Sequence, residues 1–101
     1  MSVVVQFSIF PLHATGSLAP YVARAVEVVR ASGLPFQLGP MGTVVEGEWG
    51  EVMAVINACY RELEPDFDRI YVSFTADSRR GRQDGMASKV ASVLGQTRDK
   101  S

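Results

Sequence analysis

Residues 2–10 alternate without interruption: Val3, Val5, Phe7 and Ile9 fall on one side, Val4, Gln6, Ser8 and Phe10 on the other. Period two marks a strand with two unlike faces. One face is wholly apolar and has to be covered. The other is mixed, with Gln6 and Ser8 at its centre. Residues 69–77 repeat the pattern, with Ile70, Val72 and Phe74 against Tyr71, Ser73, Thr75 and Asp77. Two such strands far apart in the chain oblige the residues between them to supply the covering layer.

That layer is legible as two helices. After Pro11 closes the first strand, Leu18, Tyr21, Val22, Ala25, Val28 and Val29 recur at helical spacing. Ser17 is the expected N-cap, Pro20 lies in the first turn, and Gly33 is the expected left-handed stop. A second helix is expected over 49–63, with Trp49, Val52, Met53, Ile56, Tyr60 and Leu63 as its apolar stripe and Pro65 beyond its end. Cys59 borders that stripe and reads as a core thiol. Between the helices, 34–38 and 42–48 read as two short strands joined through the turn residues Gly39-Pro40. After a polar loop at 78–85, a last helix capped by Asp84 is expected to bury Met86, Val90, Val93 and Leu94. The tail from Gly95 is polar and is expected to fray.

Strand, helix, strand, strand, helix, strand is two βαβ units in tandem. The expected fold is therefore α+β: a ferredoxin-like βαββαβ sandwich with a four-stranded antiparallel sheet and an extra C-terminal helix, a single domain over 1–95. At 101 residues the chain can enclose one core. It has no apolar run long enough for a membrane span. No basic stretch precedes the first apolar residues, so no secretory signal is expected. One cysteine and one histidine, far apart, leave no metal cluster and no internal disulfide, which fits a reducing cytoplasm. The formal charge is −1, and no basic stripe marks a nucleic-acid surface. Charge is nevertheless uneven: residues 79–101 hold six cations against two acids. That end is either a solvated loop and helix face or an anion-seeking one.

The stretch Met41-Gly42-Thr43-Val44-Val45-Glu46-Gly47-Glu48 carries the most chemical information. Three β-branched residues make a strand, and glycines flank it where a backbone or ligand comes close. Glu46 is a carboxylate inside that strand. It either faces water, pairs with an arginine, or holds a ligand. Alternation puts Glu46 with Val44 and Gly42, and Thr43 with Val45. Thr43 and Glu46 therefore share a site only across a bulge or at the strand's edge. The mixed sheet face, with Gln6, Ser8, Gln37, Tyr71, Ser73 and Thr75 among Val4 and Phe10, suggests an interface holding a polar pocket. Thr15-Gly16-Ser17 is either an anion cradle or simple capping. His13 beside it is an acid–base candidate or an ordinary surface histidine.

Three stretches resemble a known family. They are Ile9-Phe10-Pro11-Leu12 with Gly16-Ser17-Leu18 and Tyr21-Val22; Ser32-Gly33-Leu34 through Phe36, Leu38 and Pro40 to Met41-Gly42-Thr43 and Glu46-Gly47-Glu48; and Asp77-Ser78-Arg79-Arg80 with Met86 and Lys89-Val90. The chain resembles the small thiamine-binding-type proteins of about 100 residues, the Met-Gly-Thr-x-x-Glu-Gly stretch being the most specific match. The resemblance implies the same ferredoxin-like fold and a homotetramer, a dimer of dimers. It also implies binding of thiamine or its hydroxymethylpyrimidine part, with no reaction attached and no cofactor. Gly42, Thr43 and Glu46 are the matching site positions; Gln6, Ser8, Tyr71 and Ser73 join them from the sheet-face argument.

Amide, hydroxyl and carboxylate groups can read the donor–acceptor edge of an aminopyrimidine, and an aromatic ring can stack on it. Phosphate would need the Arg79/Arg80/Arg82 loop or the Thr15-Gly16 turn. Three functions compete: a non-catalytic binder; an assembly protein whose polar face only pairs subunits; and an enzyme using Glu46 or His13 as base. No nucleophile–base pair is visible for the last.

Overall fold

Strand β1 (Ser2–Pro11) is the spine of the sheet. The structure is a computed structural model that describes residues 2–12, 15–81 and 85–98. Helix α1 (Ala19–Ser32), strands β2 (Phe36–Gly39) and β3 (Gly42–Gly47), helix α2 (Trp49–Leu63), one 3-10 turn at Glu64–Asp66, strand β4 (Ile70–Arg79) and helix α3 (Gly85–Arg98) follow in order. The sheet runs β2-β3-β1-β4 and all its pairings are antiparallel. This is the ferredoxin-like order with an added C-terminal helix. His13, Arg82 and Asp84 lie outside the described residues, so neither the acid–base role considered for His13 nor the capping role considered for Asp84 meets a geometry here.

Local chemistry sets most of the boundaries. Gly33 ends α1 in the left-handed region at φ 77°, donating its N–H to the Arg30 carbonyl. The helix starts one residue later than the Ser17 cap implies. Leu18 is the capping position, and the Ser17 hydroxyl accepts the Ala19 N–H at 3.1 Å. Helix α2 opens on a capping box in which the Glu48 carboxylate accepts from the Glu51 amide and the Glu51 carboxylate accepts from the Glu48 amide.

The core lies between the helices and the centre of the sheet. Val3, Val5, Phe7 and Ile9 of β1 and Val45 of β3 meet Ala25 and Val29 of α1 and Val52, Ile56, Cys59 and Leu63 of α2. Three expectations about burial change. Trp49 occupies the first turn of α2, beyond the edge of this core, and is 54% exposed. Val72 and Phe74 do point to the helix side, since they pair with Ile9 and Phe7. The helices lie over β1, β2 and β3, however, and leave both residues substantially exposed. Of the four residues expected on the buried side of α3, Met86 is buried, whereas Val90, Val93 and Leu94 face outward. The helix also continues through residues 95–98, which the composition assigns to a fraying tail.

Candidate functional site

The turn from β2 to β3 builds one wall of a cleft. Gly39 and Gly42 pair across a two-residue loop, Pro40-Met41. Gly42 lies so close to β1 that a Cβ there would sit 2.9 Å from the Phe7 carbonyl oxygen and 3.1 Å from the Ser8 hydroxyl. Only glycine permits that approach without displacing backbone. The Ser8 hydroxyl then donates to the Met41 carbonyl at 3.0 Å and ties the turn to the spine strand. Opposite this wall stand Leu18, Val22, Ala25 and Val26 from the first half of α1, with Phe7 and Ile9 as the floor. The space between measures about 310 Å³, at the small end of the range for small-molecule sites, roughly 300–1,000 Å³.

Thr43 lines this cleft from β3. It pairs with Phe7 of β1 and Leu38 of β2, so its side chain takes the helix side of the sheet. It is 6% exposed, and among the described residues its hydroxyl has no hydrogen-bond partner. Burying a hydroxyl unbonded costs about 1–3 kcal/mol. A valine would fill the same space at no such cost. Local conflict of this kind is expected where a site awaits a ligand. Among the described residues no lining side chain is charged. Its described residues offer apolar walls and a hydroxyl, and neither a base nor a metal ligand set. Among the described residues no group of three metal-ligating side chains occurs anywhere.

Glu46 is elsewhere. The pairing of β1 with β3 runs in unbroken register, Phe7 with Thr43 and Val4 with Glu46, so no bulge brings Thr43 and Glu46 to one face. Glu46 points to the sheet face opposite the helices α1 and α2, three pairs nearer the start of β1. Its carboxylate accepts from the Ser2 hydroxyl at 2.5 Å, from the Met86 amide at 3.2 Å and from the Gly85 amide. It is 5% exposed and fixes the first turn of α3, where a negative charge also suits the helix dipole. The bulge that would let Thr43 and Glu46 share a site is absent, and the two residues stay on opposite faces as their alternation implies.

The sheet-face group divides as well. Gln6, Ser8 and Ser73 come together with Thr75 and Met41 around a shallow hollow of about 170 Å³ on that opposite face. Tyr71 lies beside it, stacked on Phe10 with ring centroids 5.3 Å apart. Of the seven expected site residues, Gly42 and Thr43 line the cleft, Gln6 and Ser73 line the hollow, Ser8 borders both, and Tyr71 and Glu46 line neither.

Leu18, Val22, Leu38 and Met41 are cleft residues that sequence reasoning did not single out. Nothing in a helical stripe distinguishes Leu18 and Val22 from the core positions that follow them. The helix-side position of Thr43 was signalled, however, by its alternation with the core residue Val45. Cys59 is buried against the Ala25 carbonyl, and its thiol is pushed up to about 11 by burial and, secondarily, by the nearby Glu62 charge.

The model of the thiamine-binding protein family matches residues 5–94. The chain belongs to that family. A UPF0045 protein of Mycobacterium bovis is 42% identical over 94 residues, covering 92% of each chain. A UPF0045 protein of Methanocaldococcus jannaschii is 30% identical over 91 residues, covering 90% of this chain and 91% of the other. Its crystal structure superposes with a TM-score of 0.84 over 91% of this chain and 95% of that one. A Thermotoga maritima protein, named provisionally for thiamine biosynthesis or salvage, superposes with a TM-score of 0.76 at 28% identity, over 89% of this chain and 99% of its own.

Proposed function

We propose that this family member binds thiamine or its hydroxymethylpyrimidine part without converting it, with the pyrimidine ring in the cleft between α1 and the β2–β3 turn. The observation that carries this reading is Thr43: a buried hydroxyl with no partner among the described residues, in an otherwise apolar slot. A hydroxyl can donate to a ring nitrogen or accept from the ring's amino group. The side chains of Leu18, Val22 and Phe7 supply flat apolar contact for the ring. The family's name and the name of the Thermotoga relative point to the same ligand class. Calorimetric titration with thiamine and with hydroxymethylpyrimidine should show binding of both. Absence of binding by either would contradict the proposal.

The working form would be a cytoplasmic homotetramer, a dimer of dimers. Support comes from apolar groups that one chain leaves uncovered: Val72 and Phe74 on edge strand β4, and Val90, Val93 and Leu94 on α3. Edge strands and apolar stripes of this kind are normally covered. No helix of the described residues is long and apolar enough to cross a membrane. The same surfaces favour a second reading, an assembly protein without a small molecule. Light scattering should give about four times the 11.0 kDa chain mass, and a stable monomer would contradict both readings of those surfaces.

A further inference from the structure

Strand β1 outruns its neighbour on one side. Its pairing with β4 continues through Pro11, but its pairing with β3 stops at Phe7, opposite Thr43. Parity decides which main-chain groups are left over, because those of a strand face its two neighbours alternately. The Leu12 amide donates to the Arg69 carbonyl at 2.9 Å, one step past the last β4 pair. Phe10 and Ser8 therefore also face β4, while Phe7, Ile9 and Pro11 face the β3 side. The closeness of the Phe7 carbonyl to Gly42 agrees with this assignment. Ile9 is thus the first residue whose N–H and C=O face the place where β3 has ended.

The hairpin turn does not take them up. The Met41 carbonyl accepts from the Ser8 hydroxyl, and among the described residues no hydrogen bond reaches the Ile9 amide or carbonyl on that side. Ile9 is buried all the same. Buried main-chain groups are paired in roughly nine cases in ten or more, so a donor and an acceptor left open together call for a partner from outside the chain. The cleft lies at this gap. Ser8 and Phe10 line it from one face of the sheet, Phe7 and Ile9 from the other, as a break in the sheet itself allows. Pro11 has no N–H, so the overhang offers a single donor and is too short to pair an incoming strand.

Resting on the reading of the cleft as a pyrimidine site, we propose that the Ile9 main chain is its second anchor and recognises the amino edge of the ring. The N–H donates to the ring nitrogen beside the amino group, and the C=O accepts from that amino group. The ring takes the place that a longer β3 would have filled in the ladder. Thr43 lies opposite Phe7, two residues or about 7 Å back along β1, which leaves its hydroxyl for another polar atom of the same ring. The ligand class that fits is a single ring with an unprotonated nitrogen next to an amino group.

Residue-resolved hydrogen exchange on the wild-type protein tests this, beside calorimetry with hydroxymethylpyrimidine and with the same ring lacking its amino group. Without ligand, the Ile9 amide should exchange at least about tenfold faster than the ladder amides of Phe7 and Phe10. Saturation with hydroxymethylpyrimidine should slow it by about tenfold or more. The ring without its amino group should bind about tenfold more weakly, the loss of one hydrogen bond. Replacing Ile9 by its α-hydroxy acid turns the amide into an ester, keeps the side chain, and should lower affinity for hydroxymethylpyrimidine by a similar factor. An Ile9 amide as protected as that of Phe7 in the free protein would overturn the inference, since its edge would already be paired. An Ile9 amide that still exchanges freely when calorimetry shows the ligand bound would also overturn it, while leaving the functional reading intact. Failure of hydroxymethylpyrimidine to bind at all would overturn the functional reading and this inference with it.

Discussion

Thr43 and Glu46 stand three positions apart on β3 and are buried almost equally, at 6% and 5% exposure, yet their surroundings differ completely. Glu46 has a hydroxyl and two helix amides on its carboxylate. Thr43 has nothing on its hydroxyl among the described residues. In sequence the carboxylate is the more conspicuous of the two, and it suggests a ligand because a charge inside a strand needs a partner. The fold supplies that partner internally, from the start of α3. The quieter residue, which any strand would accept as a substitute for valine, is the one left unsatisfied beside a cavity. A buried polar group that the protein satisfies itself is holding structure together. One that it leaves unsatisfied is a place to look for binding.

The comparison can be broken most forcefully at Glu46. Glu46→Ala removes the shared acceptor of Ser2, Gly85 and Met86. Hydrogen bonds to a charged group contribute about 1.5–3 kcal/mol each, less whatever water restores. Urea unfolding should therefore show a loss of about 3 kcal/mol, with hydrogen exchange in the first turn of α3 accelerated most. An unchanged midpoint would show that α3 is held by something else.

Next in size is Gly42→Ala, which puts a methyl 2.9 Å from the Phe7 carbonyl. Overpacking against backbone costs about 1–3 kcal/mol, so thermal unfolding should occur earlier and the β2–β3 turn should shift from β1. A neutral outcome would mean that the turn is looser than its glycines imply. Thr43→Val should act in the opposite sense. Removing an unpartnered buried hydroxyl should leave the empty protein as stable or up to about 1 kcal/mol more stable. Destabilisation would reveal a structural bond at that hydroxyl.

The smallest effect concerns Cys59, a buried group that, like Glu46, has an internal partner. With its thiol raised to about 11, alkylation at pH 8 should be negligible in the folded protein and rapid in urea. Fast labelling of the folded form would show that the core opens readily.

Much of the fold is legible in the residues because its signals are local. Gly33 stops α1, Glu48 with Glu51 starts α2, and Pro65 lies just past its end. The alternation of residues 2–10 and 69–77 fixes the two faces of the sheet. Burial at the edges is less legible. Trp49, Val72, Val90, Val93 and Leu94 all satisfy an apolar pattern, but a pattern does not state whether the layer that should cover a residue reaches it. The candidate site is legible by half. Period two separates Thr43 from Glu46 correctly. The partners that occupy Glu46 come from residues 39, 40 and 44 positions away, and no local signal announces such contacts. The cleft itself depends on how α1 lies against the β2–β3 turn, which the apolar stripe of α1 does not encode separately from its core.

The most direct measurement is a calorimetric titration of hydroxymethylpyrimidine into the wild type, Thr43→Val and Glu46→Gln. If Thr43 meets the ring, Thr43→Val should lose about tenfold in affinity, one net hydrogen bond of about 1.4 kcal/mol. Glu46→Gln, which acts at the far side of the sheet, should bind within about twofold of the wild type. The reverse result, affinity lost with Glu46→Gln and kept with Thr43→Val, would contradict the account and return the site to the carboxylate.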